Sequence, residues 1–185
     1  RVDTLDEETI KLMKKAGCWN IMFGIECGSQ EILEEANKGT TLDRAMEIVR
    51  FCKKNGIMIS ASFMIGFPHE TQETVKQTLE IAKKIGPHRV QFVVLTPYPG
   101  TELYDEIKKR GLLETEYSFS GYDGYCVDYM PAVRTEKLSS RDLARAQRHI
   151  YRKFYLRPSL WVSTILGIRS FSQFINLLKF IKYLK

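Results

Sequence analysis

The chain has 185 residues, an apolar fraction of 44% and a net charge of +6. That suits one domain with a real core and argues against a fibrous, collagenous or wholly disordered chain. Charge is uneven: residues 1 to 133 carry −4, and from Arg134 to the end twelve Lys and Arg face only Glu136 and Asp142. An acidic body with a basic tail predicts two organisational parts.

The first residues, RVDTLDEETIK, lack the apolar core of a secretory signal, and RVD reads as the end of an element already under way. We therefore expect an upstream half of the same protein. Residues 6 to 16 should form a helix, with acids leading and lysines closing to suit the helix dipole. NIMFGI, 20 to 25, reads as a strand buried on both faces. A short helix is expected over 29 to 37. A second, capped by Thr40 or Thr41, should run to Asn55, with Ala45, Ile48, Val49 and Cys52 at i, i+3, i+4, i+7.

IMISASFMI, 57 to 65, is the next strand, broken by Gly66-Phe67-Pro68. A helix from Glu70 to Ile85 follows, then the strand RVQFVVL, 89 to 95, the turn TPYPGT and a helix over ELYDEIKKR. Strands alternating with amphipathic helices at short intervals make a parallel sheet with helices outside. Three strands, or four if RVD is one, cannot close a barrel, so the α/β body reads as part of one. Such an open sheet leaves an unpaired edge, which invites association. Residues 115 to 133, TEYSFSGYDGYCVDYMPAV, read as an aromatic excursion, either lid or packing. About 137 to 156 is a helix with a basic face, and 170 to 184 a last amphipathic helix too interrupted by Lys179 and Lys182 to span a bilayer. The expected divisions are 1–113, 114–136 and 137–185.

In parallel β/α folds ligands gather at the carboxyl ends of strands. Here those ends are GIECGS, SFMIGFP and LTPYPGT, with glycines Gly24, Gly28, Gly66 and Gly100 that could let a ligand approach the backbone. Glu26 at a strand end is costly unless it caps the next helix, pairs with a basic neighbour or faces a ligand. Lys38 taken alone reads as a surface lysine. Cys18, Cys27, Cys52 and Cys126 form neither a CxxC nor a CxxxCxxC, so they read as free thiols of a reducing cytosol. His69, His88 and His149 read as structural or solvated, and no GxSxG accompanies them.

Taken together and in order, GIECGSQEILEEANKGTT, GIMISASFMIGFPHET and VVLTPYPGTELY resemble the second half of the radical S-adenosylmethionine (SAM) core, a partial β/α barrel. The stretch RHIYRKFYLRP further resembles members that carry a cobalamin-binding domain, the group of anaerobic magnesium-protoporphyrin cyclase and phosphonate methylase. The resemblance implies that Glu26 and Lys38 hold the methionine end and ribose of SAM. It places Ser62 on the ribose, the Ile65–Gly66 backbone along the adenine, and Tyr98 as a wall. Cys27 stands where the family often has serine. The resemblance implies a 4Fe–4S cluster whose CxxxCxxC ligands lie upstream of Arg1, so this chain alone should be inactive. In the parent, a reduced cluster and SAM would generate a 5′-deoxyadenosyl radical for hydrogen abstraction, methylation or cyclisation of a small-molecule or lipid-like substrate, with cobalamin as a further cofactor. The alternative is a non-catalytic β/α scaffold. Its basic tail would bind a membrane surface or partner, or else dock on the barrel. Nucleic acid ranks low because no RNA-binding motif accompanies the charge. The expected location is the cytoplasm, with the membrane surface open.

Overall fold

The computed structural model describes residues 2–36, 39–115 and 130–158. The expected helix over 170 to 184, most of the aromatic excursion, and Lys38 fall outside them. The RVD stub does not add a strand: Val2–Thr4 is a 3₁₀ turn that buries Val2. α1 (Glu7–Lys15) starts at Asp6, whose carboxylate accepts the Thr9 N–H at 2.7 Å. β1 (Asn20–Glu26), α2 (Gln30–Glu35), α3 (Leu42–Lys54) and β2 (Met58–Ile65) follow. Then come α4 (Gln72–Ile85), β3 (Arg89–Val94), α5 (Glu102–Lys109) and α6 (Ser140–Tyr155).

The three strands are parallel in the order β1-β2-β3, with Gly24 beside Ser62 and Ser62 beside Gln91. This is the expected α/β architecture. Alternation gives the sheet two unlike faces. Phe23, Ile25, Ile59, Ala61, Phe63, Ile65, Val90, Phe92 and Val94 are all buried, in one core with Ala45, Ile48, Val49 and Cys52 of α3 and Val75, Leu79 and Ala82 of α4. Burying each large aliphatic side chain there stabilises the fold by about 1.5–3 kcal/mol. The other face carries Asn20, Met22, Gly24, Ser60, Ser62, Met64 and Gln91, and is only partly covered, with Met22 55% exposed. The strand over NIMFGI is therefore covered on one face, not two.

Of the sheet's two edges, β1 has no outer strand partner among the described residues, as expected from three strands, whereas the edge at β3 is covered. α6 lies along it and supplies side chains where a fourth strand would supply backbone. Gln147 Nε2 donates to Phe92 O at 2.8 Å, and Tyr151 Oη accepts the Phe92 N–H at 3.1 Å. Tyr155 Oη accepts the Val90 N–H at 3.0 Å and donates to Val90 O at 2.8 Å. Phe92 seats the helix, with edge-on contacts to Tyr151 and Phe154 at 5.4 and 5.9 Å between centroids. At the opposite end of the sheet, His88 Nδ1 accepts the Ile59 N–H at 3.0 Å. Burial holds that imidazole below its usual range.

Candidate functional site at the strand ends

Every strand ends at the same edge of the sheet, and each end is built differently. β1 ends in a bulge: the register slips between Gly24 and Glu26, and Glu26 takes φ 72. Among the described residues this is the one non-glycine in the left-handed region. For a side chain with a Cβ that conformation costs on the order of 1–3 kcal/mol. Glu26 stands half-exposed at the carboxyl end of β1, with Phe63 as its partner in register on β2.

Directly after it the chain dives inward. Cys27 is fully buried with Ile32, Leu33 and Phe67, and its thiol donates to Ser29 O at 3.3 Å. Burial pushes that thiol up to about 12, so it is neither a nucleophile nor a ready metal ligand. Gly28 corrects an expectation: its missing side chain makes room for α4, not for a ligand. A Cβ there would stand 2.5 Å from Gln77 O and from the Thr78 backbone. The Gly28 N–H donates to Thr78 Oγ1 at 2.9 Å, which locks the end of β1 onto that helix.

β2 ends in the turn Gly66-Phe67-Pro68. Gly66 has φ +102, which calls for glycine; a Cβ there would only press lightly on the Val94 side chain at 3.3 Å and touch Leu95 and Leu143. Glu70 does not open the next helix, as its position before an apolar repeat suggested. Thr71 caps α4 in a capping box with Thr74, and Glu70 folds back under the turn. Its Oε2 accepts the N–H groups of Gly66 and, at 3.3 Å, Phe67. Glu70 is fully buried, and its Oε1 has no partner among the described residues. Burial raises its carboxyl to about 7, against the two N–H bonds, which favour the anion. Thr135 Oγ1 donates to Glu70 O at 2.9 Å, and the Glu136 N–H donates to Pro68 O at 2.9 Å. The segment leading into α6 thus braces this turn. His69 sits above it, with Arg110 donating to its Nε2 at 2.8 Å and Glu136 3.3 Å from its Nδ1.

Ile65 is buried on the helix side, and its carbonyl accepts the Leu95 N–H at 2.7 Å. Gly66 is buried as well, with its N–H taken by Glu70, so of Met64, Ile65 and Gly66 only Met64 is partly exposed. Tyr98 follows β3 and is 55% exposed, above a turn in which its carbonyl accepts Thr101 Oγ1–H at 2.7 Å. Glu26, Ser62, Gly66 and Tyr98 lie in, or just beyond, the carboxyl-terminal halves of β1, β2 and β3, with Gly66 buried and Tyr98 exposed, whereas Lys38 lies outside the described residues. Glu70, Thr78 and Thr135 escaped the sequence reading. An acid four residues past Gly66 and directly before a Thr cap was the available signal for the first.

A carboxylate, a hydroxyl and strand-end backbone on a partly open face can accept from ammonium and hydroxyl donors. The site has no buried base–nucleophile pair, and no three His, Cys, Asp or Glu converge on a metal among the described residues. This is the ligand edge of a parallel β/α protein. Residues 1–82 match the family model described as the radical SAM superfamily. An uncharacterized methyltransferase of Pyrococcus horikoshii is 38% identical over 165 residues, covering 89% of this chain and 35% of the relative. Anaerobic magnesium-protoporphyrin IX monomethyl ester cyclase of Rubrivivax gelatinosus is 27% identical over 154 residues, covering 83% and 26%. Among solved structures, the radical SAM methyltransferase TsrM of Kitasatospora setae, with cobalamin and a 4Fe–4S cluster bound, shares the fold at TM-score 0.54. It is 22% identical, covering 80% of this chain and 28% of that one. The radical SAM match takes in the first two of the three strand-end motifs, and the chain spans about a third or less of the length of these relatives.

Proposed function

We propose that this chain is the second half of a radical SAM core and that its strand ends hold the SAM molecule. The observation that carries the reading is Glu26. A half-exposed carboxylate residue ends β1 in a bulge with a left-handed backbone, a conformation costly for any residue but glycine and common at ligand sites. The donor set fits the nucleoside and amino-acid ends of SAM. Glu26 would accept from its ammonium or a ribose hydroxyl, Ser62 would reach the ribose, and Lys38 would pair with its carboxylate. The Gly66 backbone and Tyr98 would flank the adenine, and Glu70 would hold the Gly66 peptide in position.

Glu26, Lys38 and Ser62 would hold SAM, which would supply radical chemistry only in a whole protein that also holds a 4Fe–4S cluster. The cluster does not fit this chain, whose described cysteines are scattered and whose Cys27 is sealed in the core, so its ligands belong elsewhere in the protein. Two features support a methyl transfer or cyclisation on a small molecule, with cobalamin as second cofactor. One is the stretch RHIYRKFYLRP; the other is the names of the relatives above. Equilibrium dialysis against labelled SAM tests the core of the proposal. We expect saturable binding that Glu26→Ala weakens about tenfold, the worth of one charge-assisted hydrogen bond. Binding unchanged in that variant, or none in the parent chain, would remove the proposal.

A further inference from the structure

α6 has a second face that neither the sheet nor the strand-end site uses. Leu143, Ala144, Gln147, Ile150 and Phe154 are buried against the body and fix the helix in rotation. The opposite face carries Arg141, Arg145, Arg148, His149, Arg152 and Lys153, all exposed. At i, i+4, i+7, i+8, i+11 and i+12 they form one stripe about 18 Å long. The single acid of α6, Asp142, bonds Arg145 at 2.6 Å.

We propose that this stripe docks the protein on an anionic phospholipid surface. Three observations select that occupant. First, the stripe is straight, basic and held rigidly outward, while residues 1 to 133 carry −4, so a negative plane attracts this side of the protein and repels the rest. Second, the sequence beyond α6 runs from Ser159 to Lys185 with no Asp or Glu. It combines Trp161, Phe171, Phe174 and Phe180 with Lys179, Lys182 and Lys185, the composition of an interfacial membrane contact. Third, the stripe carries no Phe, Tyr or Trp; its single ring is the His149 imidazole, too little for a platform on which successive nucleobases stack. Tyr151 and Tyr155 spend their hydroxyls on β3, with their rings stacked at 6.1 Å.

The test is vesicle flotation of the full 185-residue chain. Vesicles of phosphatidylcholine alone are compared with vesicles containing phosphatidylserine, at about 0.1 M and about 0.5 M salt. Partition should require phosphatidylserine, fall at high salt, and weaken at least about tenfold in Arg141→Glu/Arg152→Glu/Lys153→Glu. The same three positions changed to Gln, which leaves the buried face untouched, should give an intermediate loss. Equal partition to uncharged vesicles, no partition, or full partition by both variants would overturn the proposal. So would polyuridylate stripping the protein from vesicles at equal phosphate, which would assign the stripe to a polynucleotide.

Discussion

Three residues at the strand ends divide the work of the site. Glu26 ends β1 in a left-handed turn, Gly28 clamps the strand end to α4, and Glu70 holds the turn after β2. Gly28→Ala would drive a Cβ to 2.5 Å from the α4 backbone, which cannot yield as a flexible side chain can. Overpacking of that kind costs about 1–3 kcal/mol, and the expected result is a matching fall in the urea midpoint. Glu70 makes a pH prediction. Its carboxyl stands at about 7 in the folded chain against 4.5 for the free group. The folded state therefore holds this proton more tightly than the unfolded one. The stabilisation is fully present below about 4.5 and drains away as pH rises through 7, on the order of 3 kcal/mol in all. Glu70→Gln keeps an oxygen for the Gly66 and Phe67 N–H groups. It should flatten that dependence in unfolding measured from pH 4.5 to 8. A slope as steep as the parent's would show that another group is responsible. From sequence, Glu26 was legible as an anomaly, a charge at the end of an apolar run. Glu70 was not, because an acid before a helix reads equally well as a favourable first-turn residue, and only the backbone shows it folding backward.

At the scale of elements, the alternation of periods found all three strands and the helices between them to within one or two residues. The role of α6 was hidden. Its periodicity showed an amphipathic helix, but a glutamine and two tyrosines at i, i+4 and i+8 do not announce that they replace a strand. Their hydrogen bonds satisfy the outer backbone groups of β3, a direct cover for an otherwise adhesive edge. Tyr155→Phe leaves the Val90 N–H and C=O without the hydroxyl that now serves both. We expect a loss of about 2 kcal/mol in thermal or urea unfolding, and faster hydrogen exchange at Val90 than at Phe63 in the sheet interior. Protection at Val90 equal to the parent's would mean that the helix does not seal the edge.

The whole molecule is asymmetric in a way that suits its proposed place in a larger protein. Helices cover one face of the sheet, and the other face, lined by Met22, Ser60, Ser62 and Met64, opens toward the strand ends. No helix among the described residues is long and apolar enough to cross a membrane. The parallel α/β sheet was readable from three strands alternating with helices. That the sheet's other face is only partly covered while the turn after β2 is tightly braced depends on side-chain placement that periodicity does not reveal. The central claim is that one small molecule, SAM, binds at the strand ends. The most direct measurement is a titration of the isotope-labelled chain with SAM, followed residue by residue through its amide resonances. The account predicts that Glu26, Cys27, Gly66 and Phe67 shift together and saturate at one concentration, while Asn20, Met58 and Arg89 at the opposite end of the strands stay still. Shifts confined to the helices or the far end of the sheet, or an absence of saturable shifts, would contradict it.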